Sequence, residues 1–166
     1  MKIDYSSLNG KNILITGGLG FIGSNLAHKL VSYGAHEQVT VVKADIRNHV
    51  MLKKHVAEKD VIFHLAAQVG REVSMANPLL DTDINCNGTL RLCQVMAELH
   101  SHAKIVYAGS RGQIGEPLYL PVDEEHPTNP TDVYGINKLA AEKYLLLYGK
   151  ICGFPVTSLR LNNVYG

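Results

Sequence analysis

The stretch ILITGGLGFIGSNLAHKL, residues 13–30, joins an apolar strand-like run to a helix through glycines at 17, 20 and 23. Each glycine has a separate physical use. Gly17 allows a backbone turn that side chains disfavour, Gly20 lets the backbone approach a pyrophosphate, and Gly23 lets the helix pack closely on the strand. The helix that follows offers free N–H groups and the positive end of its dipole to phosphate. The same spacing also serves ligand-free strand-to-helix turns, so its meaning depends on what surrounds it.

Outward from that turn, short β-branched runs recur at residues 12–16, 38–43, 61–65, 104–108 and 156–161. Stretches of helical character at 23–33, 48–56, 78–99 and 133–152 alternate with them. Strand and helix in alternation predict a parallel sheet with crossover helices, and most of the runs are nearly continuous in apolar residues, as strands covered on both faces must be. The expected class is α/β, a doubly wound, Rossmann-like parallel sheet in three layers, α/β/α. Pro78 suits a first helical turn, and Thr131-Asp132 can cap the last helix. A long irregular loop at 110–129 carries Pro117, Pro121 and Pro127 and leaves the end of a strand, where loops tend to carry function.

With 166 residues, 46% hydrophobic and 19% charged, the chain fits one domain, residues 1–166, with a buried core. A net charge of +1 argues against binding nucleic acid by phosphate neutralisation, so an anion must be held locally. Cys86, Cys93 and Cys152 show neither a disulfide framework nor zinc spacing, which predicts reduced thiols in a cytoplasmic protein. No metal site is expected: the eight histidines are scattered, and His64 in VIFHLAA reads as a core histidine. The N-terminus is too polar for a signal peptide, and no apolar run has transmembrane length.

Chemistry enters with VYAGSRGQIGEP and TDVYGINKLAAEKY. Tyr134 and Lys138 stand at i and i+4, on one face of a helix. A phenol is a poor base near neutral pH, but an adjacent cation favours its ionised form, so the pair can act as a proton acceptor. Alone, the spacing is also that of a surface tyrosine resting on a lysine stem. Ser110 adds a hydroxyl at a strand end, on the side of the sheet where the glycine turn lies.

The glycine turn, Ser110, Tyr134 and Lys138, in this order, resemble the extended short-chain dehydrogenase/reductase family, in particular its NAD-dependent nucleotide-sugar epimerases and dehydratases. TGGLGFIG, ADIR, FHLAAQV, NCNGT and LRLNNVYG resemble that family in register along nearly the whole chain. The resemblance implies that Gly17, Gly20, Phe21, Ile22 and Gly23 line the pyrophosphate of NAD, and that Asp45 and Ile46 flank its adenine. Leu65, Ala66 and Ala67 then line the path to the nicotinamide, and Asn85 supports the active-site helix or bonds to neighbouring backbone. By the same resemblance Tyr134 takes a proton from a sugar hydroxyl, Ser110 hydrogen-bonds the reacting oxygen, and Lys138 holds the cofactor ribose and lowers the tyrosine pKa. The resemblance also implies that Asn163 is the first residue to touch a nucleotide sugar. The family also implies a homodimer through two long helices, and KYLLLYGKI has apolar residues to spare for one.

The chain departs from the family pattern in several places. The Asp-Glu pair of the 4,6-dehydratases is replaced by Arg111 and Gly112, which favours epimerisation over dehydration; Ile114 stands where a tyrosine is usual. SYGAH runs almost directly into EQVTVVKADIRN, so the second strand and its ribose-binding acid have no evident place. Either a segment is missing near His36 and Glu37, or residues 39–42 serve as the second strand, with Asp45 as the acid. A substrate-binding domain expected after Gly166 is absent from this sequence. Three functions therefore compete: a nucleotide-sugar epimerase, another NAD(P)-dependent dehydratase, decarboxylase or reductase of the family, and a non-catalytic dinucleotide-binding module.

Overall fold

This computed structural model describes residues 6–34 and 39–165. In chain order the elements are β1 (Ile13–Thr16), α1 (Phe21–Ser32), α2 (His49–Val56) and β2 (Val61–His64), then α3 (Arg71–Ala76), α4 (Pro78–Asp81) and α5 (Gly88–Glu98). They are followed by β3 (Lys104–Ser110), α6 (Val133–Cys152) and β4 (Val156–Leu161). The four strands lie in the order β1-β2-β3-β4, every pair parallel. Ile13 is in register with Val61, Val61 with Lys104, and Ile105 with Val156. Each crossover moves to the next strand in the same direction, and right-handed connections then place α2, α5 and α6 together on one face. Those helices pack side by side, while α1 packs on β1. The result is a Rossmann-like α/β fold.

The core lies between this helical layer and the sheet. Ile62, Leu92, Val95, Met96, Ile105 and Leu145 are fully buried within one cluster. Helix ends follow the local sequence: Asn48 caps α2 by accepting from Met51 N–H at 3.1 Å, and Asp132 caps α6 by accepting from Gly135 N–H at 2.7 Å. Pro78 occupies the first turn of α4, as expected.

Two expectations are corrected. Residues 39–43 of the expected 38–43 strand form no strand, and Val39, Val41 and Val42 stand exposed. A β-branched run becomes a strand only with a neighbour to share its ladder; among the described residues nothing pairs with the outer edge of β1. The supposed join at His36 and Glu37 lies outside the described residues. The expected helix 78–99 is α4, a π-helical stretch at Thr82–Asn87, and α5 run together. Wide turns of this kind re-aim side chains and gather at functional sites. Here the wide turn carries Asn85, which is buried.

Candidate active site

At the C-terminal ends of the strands a cleft of about 1840 Å³ opens, with the glycine turn on one side and the start of α6 on the other. Gly17 takes φ +69°, and a Cβ there would stand 2.7 Å from Ala66 N. The turn thus presses directly on the segment after β2. At Gly23 a Cβ would sit 2.3 Å from the Gly17 carbonyl oxygen, so helix and turn share van der Waals space that only glycine leaves free. Gly20 differs: its Cβ would meet only Gly17 O, at 3.2 Å, on the border of the cleft. Phe21, Ile22, Leu65, Ala66 and Ala67 border the same cleft. The first turn of α1 carries no side-chain cap, leaving its N–H groups free for an anion.

Ser110 and Tyr134 are brought together by two glycines, Gly112 and Gly135. A Cβ on Gly135 would lie 2.5 Å from the Gly112 carbonyl oxygen, so α6 begins in contact with the turn after β3. A Cβ on Gly112 would be 3.4 Å from Ser110 Oγ and 3.9 Å from Tyr134 Cδ1, so hydroxyl and phenol flank one small residue. Lys138, one turn on, is 2% exposed, with its Nζ 4.2 Å from the centroid of the Tyr107 ring.

The electrostatics correct one expectation. Burial raises the Tyr134 pKa; interaction with the Ser110 hydroxyl opposes this, while Asp81 and Asp132 add to it. Burial also pushes Lys138 down to about 7, against the pull of Asp81. Lys138 therefore does not bring Tyr134 below its ordinary value in this arrangement, because desolvation acts on both groups.

Behind the cleft runs a buried polar chain. Leu65 and Ala66 N–H groups donate to Thr16 Oγ1, each at 3.2 Å, and Thr16 Oγ1 lies 2.7 Å from His64 Nδ1. His64 Nε2 is 3.0 Å from Thr89 Oγ1, whose hydroxyl donates to Asn85 O at 2.8 Å. Since the Thr89 proton is committed to Asn85, His64 must donate from Nε2 and accept at Nδ1 from Thr16. This is the neutral tautomer, and burial holding the His64 pKa down to about 3 agrees with it. Asn85 in turn clasps the backbone of Gln68, accepting from its N–H at 2.8 Å and donating to its carbonyl at 2.9 Å. It thus braces the turn after β2 through the backbone of Gln68.

A second cluster fixes the serine. Ser110 N–H donates to Gln113 Oε1 at 2.6 Å, and Gln113 Nε2 donates to Glu142 Oε2 at 2.8 Å. Glu142 also accepts from Ser158 at 2.6 Å and from Arg160 at 2.7 Å. Burial works against the Glu142 carboxylate, but hydrogen bonds from Arg160, Ser158 and Gln113 outweigh it and hold its pKa below the usual range. Neither Gln113 nor Glu142 belongs to a recognisable motif; Glu142 lies one turn beyond Lys138, and that spacing was the available signal.

The far end of the cleft is open. Asp45 and Ile46 border it, but the Asp45 carboxylate is gripped by Arg47 at 2.7 Å, and Arg47 reaches Asp83 at 3.3 Å. With its oxygens on Arg47 and no strand leading to it, Asp45 does not take the geometry of a strand-end ribose acid. Ile46 borders the cleft and also packs on Gly88, where a Cβ would lie 2.7 Å from Ile46 Cδ1. Asn163 is exposed on the cleft beyond β4. Among the described residues, no group of His, Cys, Asp and Glu side chains could hold a metal ion.

The model of the NAD dependent epimerase/dehydratase family matches residues 13–166. The chain belongs to that family. It is 38% identical over 172 aligned positions to a relative from Methanocaldococcus jannaschii, covering 93% of this chain and 56% of that one. The UDP-glucose 4-epimerase of Mycolicibacterium smegmatis is 33% identical, with 92% and 56% covered. Among solved structures, the UDP-N-acetylglucosamine 4-epimerase of Methanobrevibacter ruminantium superposes with a TM-score of 0.87 at 29% identity, over 95% of this chain and 56% of that one. The chain spans about half the length of these relatives.

Proposed function

We propose that this chain is the cofactor-binding and proton-transferring part of an NAD-dependent nucleotide-sugar epimerase. The observation that carries this reading is the seating of Gly135 on Gly112, which sets Ser110 and Tyr134 side by side on the same cleft as the glycine turn. The residues fit the cofactor: Gly20 leaves room at the border of the cleft, the α1 N–H groups are uncapped, and Lys138 borders the same cleft. Gly17, Gly20, Phe21, Ile22 and Gly23 would hold the pyrophosphate, Asp45 and Ile46 the adenine, and Leu65, Ala66, Ala67 and Lys138 the nicotinamide ribose side. When bound, NAD supplies a hydride acceptor that is regenerated as the hydride returns to the other face of the sugar.

The residues of this chain move and steady the proton. Tyr134 accepts it from the sugar hydroxyl, Ser110 donates a hydrogen bond to the reacting oxygen, and Lys138 places positive charge beside the phenol as it ionises. Asn85 acts through the backbone of Gln68. Asn163 begins the substrate side. Arg111 and Gly112, in place of a carboxylate pair, leave no acid to expel water, so epimerisation is favoured over dehydration. Exposed Leu147 and Ile151 on α6 support pairing of two copies through the long helices. Three free cysteines support a reducing, cytoplasmic setting, and among the described residues no helix is long and apolar enough to cross a membrane.

Tyr134→Phe tests the reading in a form of the protein that turns substrate over. The expected result is a loss of about 10²- to 10⁴-fold in kcat with NAD still bound; undiminished turnover contradicts it.

A further inference from the structure

Asp81 lies outside the residues assigned so far, yet among the described residues it is one of the most enclosed polar side chains. It is 0% exposed, at the end of α4. Its Oδ2 accepts from the Ser74 hydroxyl on α3 and from Asn85 Nδ2 at 3.0 Å, and its Oδ1 accepts from Asn137 Nδ2 on α6 at 2.8 Å. Asn85 holds the Gln68 backbone in the turn after β2, and Asn137 immediately precedes Lys138. One carboxylate therefore joins the wall of the cleft beside the glycine turn to the helix that carries Tyr134 and Lys138. A buried carboxylate is costly unless its lone pairs are matched, and here three side chains on three different elements match them.

We propose that Asp81 is a positioning residue of this site, fixing the turn after β2 relative to α6 through Asn85 and Asn137 and serving as the buried counter-charge for the Lys138 ammonium. The functional side of this inference rests on the epimerase reading; the structural side does not. Lys138 is faced by His64 from β2, by the Tyr107 ring from β3, by Tyr134 on its own helix, and by Asp81 from α4. His64 is neutral and Tyr107 is a buried phenol with its pKa raised by desolvation, so of these four groups Asp81 alone brings a negative charge. Removing it disfavours the ammonium and loosens a buried link between α6 and the cofactor wall.

The test uses the chain labelled with ¹³C at lysine Cε, with Lys138 assigned through Lys138→Arg. Asp81→Asn keeps the shape and removes the charge. Asp81→Asn combined with Asn137→Asp moves the carboxylate across the same contact and restores both charge and pairing. The Lys138 titration midpoint is expected to fall by about one pH unit or more in Asp81→Asn and to return in the double variant. NADH affinity, read by fluorescence, is expected to fall about tenfold and to recover in parallel. An unchanged midpoint in Asp81→Asn overturns the proposal, and so does a double variant that recovers neither fold nor midpoint. If Asp81→Asn does not fold, the double variant decides alone. Failure of the unmodified chain to bind NADH would count against the epimerase reading, while the lysine titration would still decide the role of Asp81.

Discussion

At the Tyr134 end of the cleft, Asp81 and Glu142 are buried and each accepts hydrogen bonds from several side chains; at the other end Val39, Val41 and Val42 stand in solvent and Asp45 is held by Arg47. Both ends belong to one cleft, yet β3 is paired on both sides, whereas among the described residues β1 is paired on one side only. β3 and α6 are bound by strand pairing, by the Gly112–Gly135 contact and by Glu142, so positions there are over-determined. Residues 39–45 have no strand partner, and Val39, Val41 and Val42 are exposed. The difference teaches that site geometry is inherited from the sheet: chemistry persists where strands pair and loosens where a neighbouring strand is lacking.

Truncation of apolar side chains is the strongest way to break this comparison. Leu145→Ala, in the fully buried face of α6, should cost about 2–5 kcal/mol in urea unfolding. Val41→Ala, 66% exposed, should cost no more than about 0.5 kcal/mol. Equal costs at the two ends would dissolve the distinction. Glu142→Gln leaves Arg160 without its counter-charge and one of its donors unmatched, and should destabilise by about 1–3 kcal/mol. A near-zero effect would mean that the Ser110 turn is held by packing alone.

A smaller effect is visible only through pH. His64 is neutral in the folded chain, with its pKa near 3 against an ordinary 6.5. Between those values the unfolded chain binds the extra proton, so stability falls as pH drops below about 6.5, by up to about 1.4 kcal/mol per unit. Asp45, Asp60, Asp83, Glu98 and Glu142, all lowered, contribute in the same direction at more acid pH. Between pH 6.5 and 5 the slope should therefore flatten in His64→Gln. An identical slope in both proteins would contradict the neutral, buried assignment.

Local signals carried much of this structure and long-range ones did not. The glycine turn, strands close to the expected 12–16, 61–65, 104–108 and 156–161, and the cap at Asp132 follow from periodicity and short-range chemistry. Ser110, Tyr134 and Lys138 do border one cleft, as their order along the chain suggested. The expected strand at 38–43 failed because its pattern is a property of the segment, whereas pairing is a property of its neighbour. The π-helical turn was invisible because Thr82–Asn87 keeps helical composition while changing only the path of the backbone. Asp81, Gln113 and Glu142 looked like ordinary helix and loop residues; their partners Asn137, Ser110 and Arg160 are brought to them by the fold.

The central claim is that the open border at Gly20, together with the Tyr134–Lys138 end of the cleft, forms a site for NAD. Calorimetric titration of NAD into the chain and into its Gly20→Val variant tests it most directly, since a side chain at Gly20 meets little of the protein but occupies the cleft. One equivalent of NAD should bind to the unmodified chain, and affinity should fall at least about tenfold in a variant whose thermal unfolding is little changed. No binding to the unmodified chain, or equal binding to both, would contradict the account.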